Sequence, residues 1–180
     1  MTTATAAFTG VFQADTAHSS VHVGARHMGV GSFRTRFDDL SARLVSDEHG
    51  IRLEGEARVE SIGVRTPEAF REHVVYGEDF LDARRHPVIR FAGDDVELGE
   101  DGSVTVRGEL TIKGHTRPLI ARGSYRAPIE DPYGALRTGI DLTARIDRRE
   151  FGLDWQAQLP GGGNVLGWEV DIDVRLELVR

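Results

Sequence analysis

Apolar and polar residues alternate one for one through most of this chain, and a period of two is the signature of half-buried antiparallel strands. Ile51, Leu53, Gly55, Ala57 and Val59 are separated by Arg52, Glu54, Glu56 and Arg58. Val104, Val106, Gly108, Leu110 and Ile112 repeat the pattern, as do Ile140, Leu142, Ala144 and Ile146, with a shorter run at Ala121, Gly123, Tyr125 and Ala127. The cleanest stretch comes last: Trp168, Val170, Ile172, Val174, Leu176 and Leu178 alternate with Glu169, Asp171, Asp173, Arg175 and Glu177. Turn residues punctuate these runs at Asp47–Gly50, Gly99–Gly102, Asp131–Gly134 and Gly161–Asn164, each read as a hairpin between two strands. Only Glu68–Val75 breaks the rhythm. Pro67 suits a first helical position behind Thr66 as cap, and Phe70 and Val74 then share a face, so a short helix is predicted there.

About eight strands with one apolar face each must hide that face, either as a sandwich or as a closed barrel. Twelve residues span about 40 Å, and a tilt near 40° leaves about 30 Å of height, enough for an elongated ligand as well as side chains. Gly55, Ala57, Gly108, Gly123 and Ala144 fall on the inward positions, where a packed core would carry larger groups. They favour an open lumen, although glycine at strand bends would serve equally well to relieve strain. The length of 180 residues predicts one domain, 1–180.

Composition removes several function classes. There is no cysteine, hence no disulfide, thiolate metal site or thiol nucleophile. The 29 acidic and 22 basic residues give a net charge of −7, which argues against nucleic acid and against stable anchoring at anionic membranes. No basic-then-apolar leader and no apolar run long enough to span a bilayer is present, so a cytoplasmic location is expected.

Candidate chemistry is sparse. The histidines (His18, His22, His27, His49, His73, His86 and His115) show no spacing with an obvious third ligand, and no metal site is expected. No nucleophile elbow occurs, and Gly161–Gly163 precedes a strand rather than a helix, so it is no phosphate cradle. Asp79 and Asp82 read as turn and capping residues. What remains is a group at non-strand positions: Arg26 and His27 where the first long strand ends, Arg71 and His73 on the helix, and Asp79–Asp82 after it. Phe70, Phe80, Phe91 and Trp155 would line one mouth of a barrel, with Arg71 and His73 offered to a polar head group. The competing reading pairs Arg26 and Arg71 with Asp79, Asp82 or Glu72.

Four stretches in order, spread over about residues 12–178, carry a resemblance to a known family. They are Asp15–Val21 leading to Arg26–Val30; Arg71–His73 with Asp79–Asp82 and Pro87–Phe91; Gly108–Pro118; and Ile146–Leu153 followed by Trp155. Together they resemble the YceI-like polyisoprenoid-binding family. Departures are mild: Asp147 stands where the family usually has Asn, Glu72 and Glu150 where it has Asp, Val74 where leucine is common, and Thr35 where glycine is common. Many members carry a signal peptide, which is not apparent here.

The resemblance implies an all-β fold, an extended eight-stranded antiparallel lipocalin-like barrel with one short helix, holding a long-chain polyisoprenoid or isoprenoid quinone. Phe12, Val21, Val23, Phe37, Leu53, Phe91, Val106, Leu110, Ile140, Leu142, Trp155 and Val170 would face that ligand, with Arg26, His27, Phe70, Arg71, His73 and Phe80 at the mouth. The expected role is a non-catalytic carrier or sequestering protein with no cofactor besides its lipid; a homodimer is suggested only by the resemblance. Two other classes stay open. One is an enzyme modifying the bound lipid, with His73, Arg71 and Asp79 as acid–base groups; the other is a packed barrel acting through its surface.

Overall fold

The computed structural model describes residues 8–64 and 66–180. Strands β1 (Gly10–Ala14), β2 (Ser20–His27), β3 (Gly31–Phe37), β4 (Leu40–Asp47) and β5 (Gly50–Arg58) lead to helix α1 (Glu68–Tyr76). Then follow β6 (Val88–Leu98), β7 (Ser103–Ile112), β8 (His115–Glu130), β9 (Leu136–Asp147) and β10 (Leu166–Val179). All pairings are antiparallel, in the order β1-β4-β5-β6-β7-β8-β9-β10-β2-β3, and β1 also pairs with β10. That last pairing closes the sheet. β1 and β2 run along successive stretches of β10, β1 at Leu178–Val179 and β2 at Leu166–Arg175. β3 and β4 face them in turn, so ten segments form an eight-stranded barrel rather than a sandwich. Closure pairs most strands on both sides and so limits exposed edges; among the described residues, β3 pairs with β2 and on its other side has only the Phe37–Ile62 bridge.

The barrel is filled unevenly. At one end Phe8, Phe12, Leu44, Ile140 and Leu178 are fully buried. Phe8 packs tilted against Phe12 at 6.1 Å and edge-on to Tyr125 at 5.6 Å. This end is plugged. Over the other end lie α1 and the segment after β9, which starts as a short 3-10 turn at Arg148–Phe151. Gln156 staples that segment to β10: its Nε2 donates to the Leu166 carbonyl at 2.7 Å, and its Oε1 accepts from the Leu166 amide at 3.1 Å.

Three sequence expectations change in detail. Pro67 occupies the capping position of α1 in extended conformation, and no side chain caps the helix, so Thr66 is not its cap. Gly161–Gly163 does not join two long strands; it forms a small turn closed by the Gln158–Asn164 bridge before β10 begins. Most consequential, two of the inward glycines are there for backbone contact rather than for empty space. A Cβ on Gly123 would sit 1.8 Å from the Asp141 carbonyl oxygen, and one on Gly108 would sit 2.1 Å from the Ala92 carbonyl oxygen. Gly55 differs: its nearest neighbour would be the Ser41 carbonyl oxygen at 3.7 Å.

Candidate functional site

Between the plug and the cap lies an apolar cavity of about 250 Å³. Alternation builds its wall, each strand contributing every second residue. β2 presents Val21, Val23 and Ala25; β3 presents Phe33, Thr35 and Phe37; β5 presents Leu53, Gly55 and Ala57. Ile89, Phe91, Leu110, Ile112, Leu142 and Ile146 continue the circuit to Val170–Leu176 of β10. Val74, Phe80, Leu81 and Leu153 form the ceiling. Lining residues on β10 run from Leu166 to Leu176, a height of about 25 Å at the usual rise and tilt. A sphere of this volume would span less than half of that, so the cavity suits a chain better than a compact ring.

Volume sets a further bound. A dry cavity of about 150 Å³ holds a benzene ring, so at the same density this one takes roughly ten carbons without rearrangement. A longer tail requires the cap to shift or the chain to emerge from the mouth.

The structure sorts the candidate residues into three groups. Val21, Val23, Phe37, Leu53, Phe80, Phe91, Leu110, Leu142 and Val170 line the cavity. Phe12, Val106 and Ile140 belong to the packed cluster at the plugged end. Arg26, His27, Phe70, Arg71, His73 and Trp155 lie at the capped end without lining the cavity. Phe70 meets Phe33 edge-on at 5.9 Å, closing the wall beside β3. Trp155 stacks on Phe80 at 5.4 Å, with His73 edge-on to both rings.

The charged groups of the cap serve the cap itself. His73 Nε2 lies 3.0 Å from Asp79 Oδ1, and Arg71 Nη2 donates to the Glu60 carbonyl at 2.9 Å. Arg85 pairs with Asp82 at 2.7 Å, and Arg84 with Glu72 at 3.7 Å. Arg71 thus bonds a backbone carbonyl rather than Asp79, Asp82 or Glu72, whose partners are His73, Arg85 and Arg84. Arg148 is buried; its guanidinium donates to the carbonyls of Gly167 at 2.9 Å, Leu166 at 3.4 Å and Leu153, and stacks under Trp168 at 4.3 Å. Burial pulls its pKa down from the ordinary arginine value. Lys113 ties the cap to the barrel, its Nζ donating to the carbonyls of Glu78 and Gly152.

Sequence reasoning missed Thr35. It lines the cavity between Phe33 and Phe37, and its Oγ1 is the one buried side-chain polar atom among the described residues without a hydrogen-bond partner. Leaving such a hydroxyl unpaired costs about 1–3 kcal/mol. Outside the cavity, Asp15, His18 and Glu177 place ligand atoms within 4.8 Å of one another. Arg137 already donates to Asp15 Oδ2 at 2.9 Å and to Glu177 Oε1 at 2.7 Å. A guanidinium there satisfies the carboxylates electrostatically and opposes a metal cation.

Fold and site together define a closed antiparallel β-barrel with an apolar lumen plugged at one end and capped by a helix at the other. Residues 12–178 match the YceI-like domain. The chain belongs to the YceI-like family. A UPF0312 protein of Vibrio cholerae is 24% identical over 158 residues, covering 87% of this chain and 82% of that protein. Another from a Shewanella species is 28% identical over 144 residues, 79% of this chain and 75% of its own. Among solved structures, Burkholderia cenocepacia BcnA superposes with a TM-score of 0.73 at 20% identity, over 93% of this chain and 99% of its own. A polyisoprenoid binding domain from Saccharophagus degradans gives 0.63 at 15% identity, over 94% and 98%. At these identities the likeness speaks for the fold.

Proposed function

We infer that the protein binds an isoprenoid-type lipid in the barrel lumen and carries or sequesters it without chemically changing it. The observation that carries this reading is the long apolar cavity, whose wall is formed almost wholly by aliphatic and aromatic side chains. The polyisoprenoid binding described for the Saccharophagus structure supports the choice of ligand class. Burying ten carbons is worth about 8 kcal/mol against water. A bilayer solvates the same tail as well, so transfer between membrane and lumen is nearly balanced, as a carrier needs. The ligand is a polyisoprenoid or isoprenoid quinone whose tail occupies the cavity, and the protein exchanges it in the cytoplasm without being anchored in a membrane. His73, Arg71 and Asp79 hold the cap together in this reading and perform no turnover, because none of them lines the cavity.

Thermal unfolding of delipidated protein with prenyl alcohols of ten, fifteen and twenty carbons tests it. Saturating ligand at a hundred times its Kd adds about 2.7 kcal/mol. For a chain of this size that raises Tm by roughly 5–10 °C. Unchanged melting with every chain length would refute the proposal.

A further inference from the structure

Between Asp15 and Asp38 the chain carries no carboxylate, although its overall charge is −7. That stretch holds the β2–β3 hairpin, and the pairing register puts its basic groups on the outer face: His22 lies across from Arg36, Gly24 from Arg34 and Arg26 from Ser32. The four basic side chains are exposed. Arg36 bonds Asp38 at 2.7 Å, whereas Arg26 and Arg34 have no carboxylate partner among the described residues. On the neighbouring β10, Asp171 and Asp173 lie across from Gly24 and His22, but each already has a guanidinium, from Arg145 at 2.6 Å and Arg175 at 3.2 Å. Helix α1 carries Glu68 and Glu72 at the same end, so the basic surface is confined to the hairpin.

The tip of the hairpin is apolar, where turn chemistry favours small polar residues. Met28, Gly29 and Val30 form it; Val30 is 89% exposed and Met28 42%. Met28 has a φ of 53°, a left-handed conformation that glycine or asparagine adopts at lower cost. Its amide donates to the Val165 carbonyl at 2.8 Å, which holds it there. Exposed side chains of this kind do little for folding, but a surface that solvates apolar groups next to anions gives them a use. The tip stands at the capped end, because His27 pairs with Leu166, the residue that Gln156 of the cap holds. Alongside, the free edge of β3 is closed against α1 by side chains, Phe33 meeting Phe70 at 5.9 Å.

We propose that the β2–β3 hairpin docks the capped end on an anionic lipid bilayer, with Arg26 and Arg34 against the head groups and Met28 and Val30 in the interface, so that lipid passes between bilayer and lumen beside β3. The acidic remainder of the barrel is repelled by the same surface, which orients the molecule and keeps the contact brief. This rests on the lumen being a lipid site, since a cargo dissolved in bilayers is what selects a bilayer over an acidic protein as the partner. Delipidated full chain is sedimented with phosphatidylcholine vesicles, with and without about one third phosphatidylglycerol, at low and high salt. Wild type should bind the anionic vesicles at least about fivefold more tightly than neutral ones, the gain from one arginine at a charged surface, and high salt should remove the difference. Arg34→Gln should weaken binding to anionic vesicles about fivefold and Arg34→Glu further. Met28→Asn/Val30→Ser should weaken binding to both kinds. In equilibrium dialysis without vesicles, each variant should hold farnesol as wild type does. Equal binding to both kinds of vesicle, or variants that bind like wild type, overturns the docking and leaves the lumen intact. Retention on polyglutamate without vesicle binding overturns it in favour of an acidic protein partner, and a dimer that Arg34→Glu dissociates overturns it in favour of a second copy. Farnesol that fails to bind wild type overturns the lipid-carrier reading and the delivery role with it, even where vesicle binding persists.

Discussion

At the scale of single residues, the most connected charge is Arg137, which joins parts of the chain that lie far apart in sequence. Its guanidinium reaches Asp131 at 2.7 Å, Asp15 at 2.9 Å and Glu177 at 2.7 Å, while His18 Nδ1 lies 3.0 Å from the same Asp15 oxygen. The hydrogen bond from Arg137, then that from His18, hold the Asp15 carboxyl down at about 2. The hydrogen bond to Asp15 raises His18 above its ordinary value. The two groups act in opposite pH windows. Asp15 contributes stability above the unfolded carboxylate value of about 3.9, and that contribution is lost as pH falls through about 2. His18 contributes below its unfolded value of about 6.5, and that contribution is lost as pH rises through its higher folded pKa. Melting temperature followed from pH 2 to 9 should show Asp15→Asn losing part of the acid-side slope and His18→Gln losing the decline above neutrality. Superimposable profiles for wild type and both variants would show that the network does not couple to folding. These pairings were not readable in advance, because Asp15 and Arg137 meet only when the barrel closes. Thr35 was hidden for a related reason: its position on an alternating strand is local, but its missing partner is tertiary.

At the scale of strands, alternation marked the runs at Ile51–Val59, Val104–Ile112 and Trp168–Leu178 because each side chain's face is a local property. The break between β1 and β2, and the one between β3 and β4, depend on neighbouring strands and left no comparable signal. Glycine was the harder residue to interpret. Alternation placed Gly55, Gly108 and Gly123 on equivalent inward positions, yet only Gly55 faces the cavity. Gly93 pairs directly with Gly108, next to a register shift at Gly93–Asp95, and there the glycines let strands approach as the sheet bends. Substitution should separate these roles. Gly123→Ala drives a methyl into the Asp141 carbonyl and should cost roughly 2–4 kcal/mol in urea unfolding. Gly55→Leu has room to enter the cavity and should change stability by less than about 1.5 kcal/mol while weakening prenyl alcohol binding at least tenfold. Undiminished binding by Gly55→Leu would place the ligand elsewhere.

At the scale of the whole molecule, a barrel closed on itself, plugged by Phe8 and Phe12 and roofed by α1, leaves the capped end as the route for a chain-shaped ligand. The fold class was legible because alternation fixes strands; strand length and the small inward residues already favoured a barrel with a lumen, and the family resemblance added the ligand. The lumen's dimensions were not, since they depend on how far Phe33, Phe37, Phe80 and Phe91 extend into a shared space. Those rings set a volume that holds roughly ten carbons without rearrangement. A net charge of −7 disfavours lasting attachment to anionic membranes, in keeping with the proposed carrier role. The most direct test is native mass spectrometry of the protein purified without detergent, before and after organic extraction. A fraction should carry an extra mass that extraction removes, and the extract should contain an isoprenoid-type lipid. A single unliganded mass, with added farnesol also failing to bind, would contradict the assignment of the lumen as a lipid site.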